Sequence, residues 1–246
     1  MIPETVRPNS QADKRPANSM PSMNVKEFFA SIREGKQEVV ERLLRANPAL
    51  IHEKESGLSP VLVASYNKQP RLADFLAEKA VALTIFEAAA TGKTNQIILL
   101  LARDPQLVNA YSEDGYQPLG LACFFGHPET AQYLISAGAR INSPSQNKMK
   151  VTPLHSAVAA GCSKLVKLLL QLGANPNAPQ EGGFTPLHAA AQNGDVESIR
   201  ALLFYGADAN IKSDEGKTPL NYATEGRQFE AVEWLKRGIT KRFRIR

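Results

Sequence analysis

The chain has 246 residues, 43% of them hydrophobic and 22% charged, and carries a formal net charge of +5. This is the composition of an ordinary soluble protein that can bury a core, and the absence of any run of about 18 apolar residues excludes a membrane-spanning helix. The basic excess is local: Lys236, Arg237, Lys241, Arg242, Arg244 and Arg246 lie in a stretch without acids, so residues 1–235 sum to −1 and the basicity belongs to the tail rather than to the body.

The chain opens with MIPETVRPNSQADKRPANSMPS, which lacks the apolar centre of a secretory signal and is rich in Pro, Asn and Ser. Residues 1–23 are therefore expected to form a disordered leader, with Met23 as an alternative start. Two cysteines, Cys123 and Cys162, form no CxxC pair and no disulfide framework. Together these features point to a cytoplasmic protein.

From residue 24 onward the sequence resembles itself. The segments are VKEFFASIREGKQEVVERLLRANPALI (25–51), LSPVLVASYNKQPRLADFLAEK (58–79), LTIFEAAATGKTNQIILLLARDPQLVN (83–109) and YQPLGLACFFGHPETAQYLISAGARIN (116–142). They continue as VTPLHSAVAAGCSKLVKLLLQLGANPN (151–177), FTPLHAAAQNGDVESIRALLFYGADAN (184–210) and KTPLNYATEGRQFEAVEWLKRG (217–238). The turn inside each unit falls at Gly35, Lys68, Gly92, Gly126, Gly161, Gly194 and Gly226, spaced 33, 24, 34, 35, 33 and 32 residues apart.

Each unit reads as two short helices. Thr152, Thr185 and Thr218 can cap the first, and Pro153, Pro186 and Pro219 suit its first turn, where a backbone N–H is orphaned anyway. Glycine then permits a positive-φ turn. The second helix carries patterns such as LVKLLL and ends at GAN, GAD or GAR with a glycine cap, and an Asn- and Gly-rich loop follows. Such a pair cannot bury its own apolar face, so the units must stack and share a core.

TPLHSAVAAG and TPLHAAAQNG carry a close resemblance to the ankyrin repeat family, in particular to its stand-alone microbial members, over about residues 24–238. The resemblance implies an all-α repeat fold: a solenoid of about seven helix-turn-helix units with hairpin-like fingers, and caps facing water at both ends. The expected units are about 24–55, 56–82, 83–112, 113–147, 148–180, 181–213 and 214–238, followed by a basic tail, 239–246. Trp234 is expected as a buried anchor of the last unit. The 24-residue spacing predicts a missing finger after AEKAVALTIF, and the 35-residue spacing a longer finger with Lys148 and Lys150 near its tip.

Candidate chemistry is sparse. His155 and His188 recur at the TPLH position without a recurring Cys, Asp or Glu partner, so a metal role is not expected; the resemblance implies hydrogen bonds to neighbouring loop backbone. EAAATGKT (87–94) imitates a phosphate-binding loop, but Glu87 replaces its first glycine and a helix replaces the required strand. Cys123 reads as a small buried hydrophobe. No paired carboxylates or nucleophile constellation stand out, so neither an enzyme nor a bound cofactor or metal is expected.

The two residues before each turn vary widely: Tyr66-Asn67, Ala90-Thr91, Phe124-Phe125, Ala159-Ala160, Gln192-Asn193. Variable chemistry suits a solvent-facing position, and in ankyrin folds it implies the concave face. Neighbours in a helix point about 100° apart, so Phe124 and Phe125 cannot share one buried face. One ring, Phe125 for example, could fill a gap between first helices, but at least one of the two is expected as contact surface. With Tyr66, Tyr116 and Phe184 they are expected to form an aromatic track for a partner protein, flanked by Lys148, Gln192 and Asn193. The expected function is a non-catalytic, monomeric protein-interaction module without a small-molecule substrate. The alternative is an adaptor that binds nucleic acid or an anionic surface through the basic tail, which a solvated terminal extension explains more simply.

Overall fold

A computed structural model describes residues 23–240, and the side chains of residues 24–238. The expected leader, residues 1–22, and residues 241–246 of the tail lie outside the described residues. The described chain is built of α-helices in consecutive pairs, without a strand: α1 Met23–Arg33 and α2 Gln37–Ala46, α3 Pro60–Tyr66 and α4 Pro70–Lys79, α5 Ile85–Ala90 and α6 Thr94–Arg103, α7 Pro118–Phe124 and α8 Pro128–Ser136, α9 Pro153–Ala159 and α10 Ser163–Gln171, α11 Pro186–Asn193 and α12 Val196–Phe204, and α13 Pro219–Glu225 and α14 Phe229–Thr240. The last helix therefore runs into the segment expected as tail.

Local chemistry sets these boundaries. Thr84 Oγ1 accepts from Glu87 N at 3.3 Å while Thr84 N donates to Glu87 Oε2 at 2.7 Å, a reciprocal cap. Prolines open α3, α7, α9, α11 and α13. The turn between paired helices takes positive φ at Gly161 (64°) and, at the matching step, Lys68 (57°). In the last pair the expected Gly226 is right-handed, φ −75°, and Arg227 makes the turn with φ 54°. Arg227 also restores the 33-residue step from Gly194.

Each first helix hides its apolar face against its neighbours; Leu119, Leu121, Ala122 and Cys123 of α7 are at most 1% exposed. The second helices close the core with residues such as Leu165, Val166 and Leu169. The core is in two parts. One runs from Ile85 to Leu235, the other from Phe28 to Ala77, and Leu83 touches both.

That division falls where the expected finger is missing. Residues 80–84 alone link α4 to α5, whereas later fingers lie side by side through backbone bonds. Gln146 N donates to Gly115 O at 2.8 Å, Glu181 N to Met149 O at 3.0 Å, and Asp214 N to Gly182 O at 2.8 Å. The finger between α8 and α9 is the expected long one, and Lys148 stands at its end.

A second ladder was not anticipated. Asn109 Nδ2 donates to Gly138 O at 3.0 Å while Asn109 Oδ1 accepts from Arg140 N at 2.9 Å. Asn142 clamps Gly173 and Asn175 in the same way, and Asn177 clamps Gly206 and Asp208. One amide thus satisfies both a donor and an acceptor of the next helix end. The segment AEKAVALT has no such asparagine.

Trp234 departs from expectation: it is half-buried, and Ala231 and Leu235 are the buried anchors of α14. Trp234 packs against the core, and the guanidinium groups of Arg200 and Arg237 lie over its ring, 4.9 Å and 5.7 Å from the centroid.

Candidate functional site

The end of α7 places Phe124 and Phe125 at right angles, ring centroids 5.1 Å apart with planes at 85°. Phe125 is half-buried against the core, and Phe124 remains 39% exposed. Tyr66, from two pairs earlier, lies 5.3 Å from Phe125 and 6.0 Å from Phe124. Such pairs add about 0.5–1.5 kcal/mol beyond area burial.

Tyr66 can reach α7 because the helix between is short and lined with small residues. α5 has six residues where α3 and α7 have seven, and it ends in Ala90 followed by Thr91. The three rings with Ala90, Thr91 and Ala160 enclose a groove of about 510 Å³. At its edges lie Lys68, which is exposed, Asp74, which pairs with Lys93 at 2.7 Å, and His127. His127 Nε2 lies 3.0 Å from Ala90 O, and because a carbonyl only accepts, Nε2 carries the proton.

The far end of Tyr66 is fixed. Its hydroxyl donates to Asp114 Oδ2 at 2.6 Å, and burial first, then this carboxylate, pushes the phenol pKa above its usual value. Tyr66 is therefore a neutral, oriented ring.

The remaining expected contact residues do not join this group. Tyr116 is half-buried against the core beside Gly120. Phe184 stacks on His188 at 5.1 Å and meets Tyr222 edge-on at 5.0 Å. Gln192 and Asn193 are exposed at the end of α11, and Lys148 lies 3.4 Å from Glu181. The ring contacts thus form two groups rather than one continuous track. Sequence reasoning missed Asp114, Lys68 and His127, because their places depend on which fingers and helix ends are adjacent.

The two TPLH histidines are structural. His155 Nδ1 accepts from Thr152 N at 3.2 Å, so Nε2 holds the proton and donates to Phe184 O at 3.2 Å. His188 repeats this with Thr185 N and Lys217 O. Burial lowers the His155 pKa to about 4, against smaller upward effects of its carbonyl contacts. Burial also raises the Cys123 thiol pKa, the opposite of what a nucleophile needs. Among the described residues, no three His, Cys, Asp or Glu side chains converge to hold a metal, and no helix is long and apolar enough to cross a membrane.

Comparison with known proteins agrees with this architecture. The family model described as "Ankyrin repeats (3 copies)" matches residues 85–180 and 172–244. The chain is 30% identical over 166 residues to Target of rapamycin complex 2 subunit AVO2 of Saccharomyces cerevisiae, covering 62% of this chain and 38% of that protein. It is 32% identical over 153 residues to mouse Rabankyrin-5, covering 58% of this chain and 13% of the relative. It is 27% identical over 170 residues to Ankyrin repeat domain-containing protein SAT10 of Stachybotrys chartarum, covering 67% and 9%. The chain thus spans well under half of each relative, and the likeness lies in the repeats. Paired helices capped at Thr-Pro, fingers bonded side by side and the family match agree: the chain belongs to the ankyrin repeat family.

Proposed function

We propose that this protein is a non-catalytic interaction module whose partner protein inserts an apolar side chain into the groove formed by Tyr66, Phe124 and Phe125. The observation that carries the reading is the convergence of these rings from α3 and α7 over a short, alanine-lined α5. A groove of about 510 Å³ has room for one or two large side chains. Tyr66 is held by Asp114, so little side-chain entropy remains to be lost on binding. Tyr116, Lys148, Phe184, Gln192 and Asn193 offer flanking contacts along the finger side and the later helix ends. Ankyrin repeats are protein-interaction elements, and one relative is by name a subunit of a larger complex. In this reading the module acts as a single copy in the cytoplasm, with no substrate or cofactor of its own.

The test is affinity capture from source lysate with wild type, Phe124→Asp and Val81→Asp. Val81 is 88% exposed in the link between α4 and α5 and provides the surface control. Melting curves confirm that the variants are folded. A protein retained by wild type and Val81→Asp and lost with Phe124→Asp supports the groove; equal retention by all three contradicts it.

A further inference from the structure

The hydrogen-bond donors that line the Tyr66 groove are almost all engaged within the protein. Ser65 Oγ donates to Val61 O at 2.9 Å, Thr91 Oγ1 to Glu87 O at 2.7 Å, and the Tyr66 hydroxyl to Asp114. The His127 ring donates to Ala90 O. The backbone N–H groups of Lys68, Thr91, Phe125 and Ala160 are bonded to carbonyls of their own helices. A polar group placed among the rings would lose its water and meet no donor in exchange, so the interior of the groove accepts apolar groups alone.

The Lys68 ammonium is the exception. Lys68 lines the groove, is exposed, and pairs with no acid among the described residues. Its backbone, at φ 57°, makes the turn between α3 and α4 and so fixes where the side chain begins. Asp74, the one carboxylate among the lining residues, is held by Lys93 at 2.7 Å. The rim therefore carries one uncompensated positive charge beside an apolar interior. The other end is small and neutral: Ala159 and Ala160, where α9 finishes, are exposed. Lys68 belongs to the second helix pair and Ala160 to the fifth, with the rings of Phe124 and Phe125 on the fourth between them.

We infer that the groove selects a partner segment in which a large apolar residue stands beside an aspartate or glutamate, the apolar side chain lying among Tyr66, Phe124 and Phe125 and the carboxylate pairing with Lys68. The inference rests on the groove being the partner site and adds which segments it accepts. A basic neighbour in the segment meets the Lys68 charge and finds Asp74 already paired, so it is rejected. A neutral polar neighbour gains no charge-assisted bond. The ion pair forms at an exposed rim, where the carboxylate keeps most of its water, so it discriminates between partners while the rings supply most of the affinity. Because the segment can continue over Ala159 and Ala160 after crossing the rings, the acid is a side chain within the segment and not a chain end.

Selection from a phage-displayed library of short random peptides tests the inference, with the full chain as wild type, Lys68→Glu, Lys212→Glu and Phe124→Asp as baits, each shown folded by its melting curve. Lys212 is exposed in the finger before α13, so its variant makes the same charge change away from the groove. Wild type and Lys212→Glu should enrich a large apolar residue with Asp or Glu beside it. Lys68→Glu should keep the apolar residue and lose the acid, and Phe124→Asp should lose both. In a selected peptide, replacing the acid by its amide should weaken binding to wild type about two- to fivefold, and high salt should erase that difference. Lys68→Gln, which removes the charge alone, should no longer distinguish acid from amide. Phe124-dependent enrichment without an acid preference, or an acid preference that survives in Lys68→Glu, overturns the inference and leaves the groove standing. Apolar enrichment that is absent, or indifferent to Phe124, overturns the groove reading and the inference with it.

Discussion

The Tyr66 hydroxyl and Asp114 Oδ2 meet at 2.6 Å across 48 positions of sequence, joining the end of α3 to the finger before α7 and passing over α5 altogether. Lys54 pairs with Glu113 over the same gap. Both contacts exist because residues 80–84 carry no finger to keep the flanking ones apart. The groove thus forms where a finger is missing, and Tyr66, although it belongs to α3, packs with Phe125 against the larger part of the core.

That division has a thermodynamic consequence. The seam lacks both an asparagine clamp and a finger, so the α1–α4 block should open before the rest. Trp234, the one tryptophan, reports on the larger part. In urea, far-UV circular dichroism is expected to lose part of its amplitude at a lower concentration than Trp234 fluorescence. Coincident curves would show one cooperative block.

Tyr66→Phe removes the hydroxyl alone and keeps the ring contacts. It should cost about 1 kcal/mol and widen the separation between the two urea curves, because the lost bond crosses the seam. A shift of both curves together would place the bond's contribution elsewhere.

The asparagine ladder gives a paired comparison. Asn142→Ala removes a donor and an acceptor contact to the next helix end and should destabilise by about 1–2 kcal/mol. Asn210 occupies the matching place in the next unit but bonds to Asp208 beside it rather than to a further unit. Asn210→Ala should therefore stay within about 0.5 kcal/mol of wild type.

Acid should weaken the fold through the buried histidines. The folded pKa of His155, about 4, lies below its unfolded value. As pH falls below about 6.5 the unfolded chain takes up a proton that the folded chain refuses, so stability falls until about pH 4 and then levels off. The slope is at most about 1.4 kcal/mol per pH unit per histidine. His188 shifts in the same direction. His155→Asn copies the Thr218–Asn221 cap, where Asn221 Oδ1 accepts from Thr218 N at 2.9 Å. Melting curves from pH 7 to 4 should show a flatter acid limb for this variant and a stability about 2 kcal/mol lower at pH 7.

Much of this was legible in the sequence. TPLH with its Thr cap and Pro, the repeat period and the shortened spacing each follow from local chemistry that recurs. Asn109, Asn142, Asn177 and Asn210 recur as plainly, yet a loop asparagine also suits a simple turn, so the clamp stayed hidden. Gly226 drew attention from Arg227 because glycine is the usual owner of positive φ. The expected track put Tyr66 on the same face as Phe124 and Phe125, but not in direct contact with them: a repeat frame aligns residues of adjacent units, and these belong to units separated by a third. Trp234 looked like fully buried core because of its size; it is half-buried against the core, with Arg200 and Arg237 over its ring.

In the proposed mode of binding, a partner side chain occupies the Tyr66–Phe124–Phe125 groove. Hydrogen exchange of the chain alone and with the captured partner tests it most directly. New protection is expected at the end of α3, at residues 90–92 and at residues 124–127, with α10 and α12 unchanged. Protection confined to the finger tips or to the second helices, with the groove segments exchanging as in the free chain, would contradict it.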